Sequence, residues 1–144
     1  MPLPARSSGV TDWRVGSLAG VAYTLVVFAF AFVAGAIRVT LVAPRLGALA
    51  AVIIEAPIVL AVSWLVSLWC IRRFHVGSAS RTRKLMGAVA FSLLMLVELG
   101  VAVLAFGETP DHYFAKFASA PGAFGLAAQV GFACIPWIQW RLGF

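Results

Sequence analysis

The sequence predicts an all-α fold, an integral membrane four-helix bundle, and three observations carry that expectation. The 144 residues are 62% hydrophobic and only 11% charged, with a mean hydropathy of +1.01, which leaves too little polar surface to cover a water-soluble domain. The apolar residues fall into four stretches, each near the roughly 20 residues that a helix needs to cross a hydrocarbon layer about 30 Å thick. The Lys and Arg residues stand between and beside those stretches, as connections rather than crossings require. Four crossings and their links take up residues 1–144, so a single transmembrane domain is expected, with any site inside the bundle or at its rims.

The first crossing is expected over residues 15–42, entered through the polar segment 5–14 and left at Pro44, which cannot continue a helix comfortably. The second is expected over 46–71, stopping at Arg72 and Arg73. A connection over 74–84, carrying Arg81, Arg83 and Lys84, leads to the third crossing over 85–106. Residues 107–121 hold most of the remaining acids, and the fourth crossing follows over 122–140, closed by Arg141. Within 107–121, Thr109 reads as an N-cap, Pro110 as the first helical residue and Asp111 as an acid in the first turn. His112, Tyr113, Phe114, Lys116 and Phe117 then make a short amphipathic helix on the outer surface between helices 3 and 4, a connector or a lid over a pocket. A rival reading takes the basic start and Ala34-Gly35-Ala36 for a cleavable signal peptide, but the apolar run before that point is longer than the usual 7–15 residues. No internal repeat or low-complexity segment is present.

Orientation follows from the basic residues, because short cytoplasmic segments retain Lys and Arg. Arg6, Arg14, Arg72, Arg73, Arg81, Arg83, Lys84 and Arg141 fall on one side, and Arg38, Arg45 and Lys116 on the other. Both termini and the middle connection are therefore expected in the cytoplasm. Trp13, Trp69, Trp137 and Trp140 gather at that face, where an indole keeps its ring in the interface and its N–H wet. The expected location is a bacterial cytoplasmic membrane. The net charge of +6 thus reads as topology, and nucleic acid is not an expected partner because no basic face with interleaved aromatics occurs on a soluble element. Cys70 and Cys134 form no C-x-x-C pair, and thiols on the cytosolic side are normally kept reduced.

The residues that carry chemical information are the polar ones within the apolar stretches, since a charge near the bilayer centre costs roughly 2.5–3.5 kcal/mol on insertion scales. Glu55, Glu98 and Gln129 all fall about 12–15 Å from the outer end of their helices at about 1.5 Å per residue. Their faces agree as well. Glu55 shares one with Ala48, Ala51, Val59, Ser63 and Cys70; Glu98 with Gly87, Phe91, Ala102 and Ala105; Gln129 with Gly122, Gly125, Ala133 and Pro136. Small-residue faces are those that approach other helices in membranes, so the three side chains are expected to meet inside the bundle. Arg38, on a face with Ala34, Ala31, Val27, Thr24 and Gly20, supplies the counter-charge. Side chains lean toward the helix N-terminus, which brings Arg38 and Glu55 together and leaves Glu98 near Gln129 without a cation of its own, a proton site in outline.

Arg38, Glu55, Glu98 and Gln129 are therefore the candidate proton- or ligand-binding residues, and Arg45 at the outer rim is a candidate for a phosphate or carboxylate head group. The bland alternative is that the cluster only ties helices together, but Ser, Asn or Gln would do that without two carboxyls. His75 and His112 lack a second ligand at metal spacing, and no helix carries a His for haem, so neither a metal nor another cofactor is expected. Gly16 and Gly20 form a small-x-x-x-small pair suited to dimerising the first helix. Three functions stay open: proton- or cation-linked transport, an accessory or assembly subunit of a membrane complex, and a membrane enzyme acting on a lipid or isoprenoid. The expected partners are the lipid bilayer and either further copies of the chain or a larger membrane complex.

Overall fold

The structure, a computed structural model, describes residues 9–144, with side chains from residue 12 onward. Arg6, counted in the charge asymmetry, and residues 5–8 of the polar entry segment lie outside the described residues. The described chain is helical, without strands: α1 (Gly9–Ile37), a π-helical segment (Arg38–Val42), α2 (Ala43–Leu46), α3 (Ala48–Arg73), α4 (Ser80–Phe106), α5 (Pro110–Ala115), a 3-10 turn (Lys116–Ala118) and α6 (Ala120–Arg141). Four of these elements, counting α1 with its extension to Leu46 as one, are long and apolar enough to cross a membrane.

The π segment is a local consequence of Pro44. Proline has no N–H, and its ring would press on the Thr40 carbonyl in a regular helix. The backbone widens instead, and the Ala43 N–H donates to the Arg38 carbonyl, five residues back. Side chains take up part of the slack. The Thr40 hydroxyl donates to the Ala36 carbonyl at 2.7 Å, and Arg45 Nη1 donates to the Leu41 carbonyl at 2.7 Å. Gly47, at φ 84°, then reverses the chain into α3, a left-handed conformation that glycine adopts without strain.

Two boundaries differ from expectation for visible reasons. Helix α1 begins at Gly9, so the polar residues around Asp12 and Arg14 form its first turns rather than a separate lead-in. Helix α4 begins at Ser80 because Ala79 is extended (ψ 125°) and serves as its N-cap, so Arg81, Arg83 and Lys84 are helical rather than part of the connection.

The packing order around the bundle is α1, α3, α6, α4. Helix α1 packs against α3 and α4, and α6 packs against the same two, while α3 and α4, consecutive in the chain, sit diagonally. Helices α1 and α4 run parallel: Gly16 faces Thr82, Gly20 faces Met86, and the Thr24 hydroxyl donates to the Ala90 carbonyl at 3.1 Å. Helices α3 and α6 are parallel too, with Leu60 against Gly131 and the Gln139 amide donating to the Trp64 carbonyl at 2.8 Å. Glycines set these approaches. A Cβ on Gly20 would lie 2.7 Å from the Met86 carbonyl oxygen, and one on Gly87 would collide with that of Ala133. The Gly16 and Gly20 face, expected to dimerise α1, is thus occupied by α4 of the same chain.

Tyr23 stands at the centre of the bundle. Its ring stacks on Phe132 (centroids 4.3 Å apart, planes 17° from parallel), and its hydroxyl donates to the Phe132 carbonyl at 2.9 Å. That carbonyl has lost its helical donor, because the residue four positions on is Pro136. Ala19, Val27, Met86, Ala90 and Leu94 complete the core around this contact. The outward faces are apolar as well, with Leu18, Leu65, Leu96 and Leu104 among many large exposed hydrophobic side chains.

Candidate functional site

The four polar side chains singled out in the sequence come together toward the end of the bundle that carries α2 and α5. Arg38 is the first residue of the π segment, and Glu55 lies in the second turn of α3, two residues before Pro57. The expected ion pair forms, between Arg38 Nε and Glu55 Oε2, with the side chains 30% and 18% exposed. Gly35, one turn before Arg38, lies beside the pair: a Cβ there would be 3.8 Å from Glu55 Oε1 and 3.9 Å from Arg38 Nη2.

Glu98 takes its partners from the other side of the bundle. Gln129 Nε2 donates to Glu98 Oε2 at 2.6 Å, and the Tyr113 hydroxyl donates to the same oxygen at 3.1 Å. Both donors address Oε2; Oε1 takes neither. Among the described residues no cation lies within ion-pair distance of Glu98, and Arg38 acts on it only at longer range. Gln129 Oε1 is buried and has no hydrogen-bond donor. The small-residue faces largely point inward as expected, with Ala51, Ser63, Cys70, Gly87, Ala102 and Pro136 buried. Ala48 and Ala105, near the ends of their helices, are exposed.

Tyr113 belongs to the site, although its spacing marks it only as part of a surface helix. Helix α5 forms as expected: Thr109 Oγ1 accepts from the His112 N–H at 3.3 Å, and Pro110 follows the cap. Tyr113 is the one buried residue of this helix, 6% exposed, with Phe114 and Phe117 edge-on at 5.2 and 5.4 Å. Burial and the neighbouring Glu98 carboxylate hold its phenol proton more tightly than usual. The segment is tied at its surface by Lys116 Nζ, 2.5 and 2.6 Å from the two Glu108 carboxylate oxygens. A signal for Tyr113 existed in the sequence: on a short helix flanked by exposed Asp111, His112 and Phe114, it is the amphipathic residue whose tip needs a polar partner.

Arg45 is not joined to this cluster. It is exposed and donates to the Leu41 carbonyl of its own helix. His112 Nδ1 lies 3.7 Å from Glu108, His75 is exposed, and among the described residues no group of three metal-ligating side chains occurs. Cys70 and Cys134 are free thiols.

A second buried polar contact, unmarked in the sequence reading, lies toward the opposite end, where Ser67 Oγ donates to Gln139 Oε1 at 2.7 Å. It ties α3 to α6. Chemically, the cluster around Glu98 offers one compensated charge pair and, beside it, a carboxyl with no cation and a buried amide oxygen with no donor. No protein-family model matches the chain, and no curated protein or solved structure matches it.

Proposed function

We propose that the chain is an integral protein of a bacterial cytoplasmic membrane, crossing it four times with both termini and the 74–79 connection in the cytoplasm, and that its polar site binds a proton or cation during transport. The observation that carries the second half is Gln129 Oε1, buried without a donor beside a Glu98 carboxyl that lacks a cation. Buried acceptors are ordinarily satisfied, and in a low-dielectric interior a carboxylate and an open amide oxygen together favour positive charge. Arg38 and Glu55 form the wall of the site on the α1/α3 side. The first half draws on the four long apolar helices, their apolar outward faces, and the excess of Lys and Arg toward one end.

The test is the carboxyl region of the infrared spectrum of the purified protein, followed against pH and against Na⁺ and K⁺, in the wild type and in Glu98→Gln. A carboxylic-acid band that titrates, or shifts with cation, and is missing from Glu98→Gln is the expected result. Proteoliposomes carrying the wild type should then take up protons or cation, and those carrying Glu98→Gln should not. No response of Glu98 to either variable sinks the reading. Orientation is checked separately: a thiol introduced as Ser78→Cys should resist a membrane-impermeant reagent applied to intact cells, and ready labelling there reverses the topology.

One observation favours the accessory-subunit reading as a second choice. An ion pair 30% and 18% exposed on the flank of the bundle is better placed against a protein neighbour than against lipid. In that case Glu98→Gln leaves assembly intact, since an amide still hydrogen-bonds Gln129 and Tyr113.

A further inference from the structure

The end of the bundle remote from Glu98 carries a second unexplained feature, independent of the transport reading. Helix α4 begins without a side-chain cap and with no acid in its first turn, and its opening residues are Ser80, Arg81, Thr82, Arg83 and Lys84. A helix N-terminus is its positive end and favours anions, so three cations there are the reverse of the favourable arrangement. Arg83 is also 4% exposed. Its side chain leans back toward the helix start, where Nε and Nη2 donate to the carbonyls of Gly77 and Phe144, each at a long 3.3 Å. Nη1 is buried and has no partner. Among the described residues no Asp or Glu side chain pairs with this guanidinium, whereas buried charges are ordinarily paired.

Lys84 of this turn and one further cation, Arg141 of α6, meet at the same corner. Lys84 Nζ lies 5.8 Å and Arg141 Cζ 5.5 Å from the centre of the Trp137 ring. The adjoining connection is fixed by Trp140 Nε1, which donates to the Ser78 carbonyl at 2.6 Å. The geometry points to a phosphate-binding site at the start of α4, in which a phosphate group accepts from Arg83 Nη1 and from the N–H groups of Ser80 and Arg81, those of Thr82 and Arg83 being taken by the Ala79 carbonyl, and is flanked by Lys84 and Arg141. Planar guanidinium groups and helix N-termini are the two elements that recognise such a group. Its source is either the head group of an anionic lipid or free inorganic phosphate.

The full chain, purified in neutral detergent, separates these cases. Native mass spectrometry compares retention of phosphatidylglycerol with phosphatidylcholine of the same acyl chains, and thermal unfolding compares inorganic phosphate with chloride at equal ionic strength. In the wild type, phosphatidylglycerol should be retained preferentially. The preference should fall by about fivefold for each cation removed, equivalent to roughly 1 kcal/mol per basic residue, in Lys84→Gln/Arg141→Gln and in Arg83→Gln. It should persist in Arg72→Gln/Arg73→Gln, which removes two exposed cations from the end of α3. Stabilisation by inorganic phosphate without lipid preference, abolished by the same substitutions, assigns the site to the free anion. If neither ligand is preferred, or if Arg72→Gln/Arg73→Gln loses as much as Lys84→Gln/Arg141→Gln, the site does not exist and the end of the bundle is only diffusely basic. Should Arg83→Gln not fold, the Lys84→Gln/Arg141→Gln variant decides alone, since both of its side chains are exposed.

Discussion

Replacing Tyr23 by Phe deletes one hydroxyl, which meets both the Phe132 carbonyl and the Ser63 side chain, and keeps the ring that stacks on Phe132 at 4.3 Å, so the bond to the Phe132 carbonyl is isolated by making the change in two backgrounds. With Pro136 four residues on, the N–H that would take the hydroxyl's place in a regular helix is missing. Interhelical hydrogen bonds in membrane proteins contribute about 0.6–1.7 kcal/mol, and a buried acceptor left unsatisfied costs about 1–3 kcal/mol. The expected loss in Tyr23→Phe is therefore about 1.5 kcal/mol, or roughly tenfold in the unfolding equilibrium. In a Pro136→Ala background the new N–H at position 136 reaches the Phe132 carbonyl, and the same substitution should cost about 0.5 kcal/mol, the remainder being a coupling energy near 1 kcal/mol. The assay is reversible unfolding in mixed micelles with increasing SDS, followed by far-ultraviolet circular dichroism on the four chains of the cycle. Equal cost of Tyr23→Phe in both backgrounds refutes the assignment of the tyrosine as the substitute donor.

Two other expectations follow from named contacts. Gly87→Ala sets a Cβ against the Ala133 carbonyl and should cost about 2 kcal/mol in the same unfolding assay, whereas Gly100→Ala, which meets open space, should change stability by less than about 0.5 kcal/mol; equal effects would show that α4 and α6 do not approach closely at Gly87. The Lys116 ammonium holds the Glu108 carboxyl below its ordinary range, so this tie is at full strength above the ordinary Glu value of roughly 4.3 and is lost as pH falls below it. Amide exchange of residues 108–118, corrected for intrinsic rates, should rise over that interval in the wild type and show no such step in Lys116→Met; an identical profile in the two counts against it.

The number and type of the long helices could be read from the sequence because each is a continuous apolar run, which hydropathy alone reveals. The Arg38–Glu55 pair and the approach of Gln129 to Glu98 were also legible, since depth and helical face fix two of the three coordinates of a side chain. The third coordinate, which helix is neighbour to which, depends on backbone approaches such as Gly20 on Met86 and Gly87 on Ala133. Hydropathy carries no trace of these, so the parallel pairing of α1 with α4 and of α3 with α6 was not foreseen, and Gly16 and Gly20 were assigned to the wrong contact. Arg83 was misread for a related reason. A cation near a helix boundary looks like a solvated loop residue until the cap is located, and Ala79 has no side chain to announce itself as one. Pro136, by contrast, does imply an unmet carbonyl at Phe132, although which hydroxyl would reach it could not be read from spacing.

The polar partners also divide in time. Arg38 and Glu55 belong to the first pair of helices, and Glu98, Tyr113 and Gln129 to the second, so each half of the chain contains the first partner of every ionisable group that it places in the cluster around Glu98. In a chain inserted as proposed above, the earlier half would enter the bilayer with its arginine already neutralised by its own glutamate, before the later half has been translated. The glutamate of the later half arrives with an amide and a phenol from its own half as escorts. Neither half must wait for the other to shelter a bare charge, and what remains to be joined afterwards is mostly a matter of small residues fitting backbone to backbone.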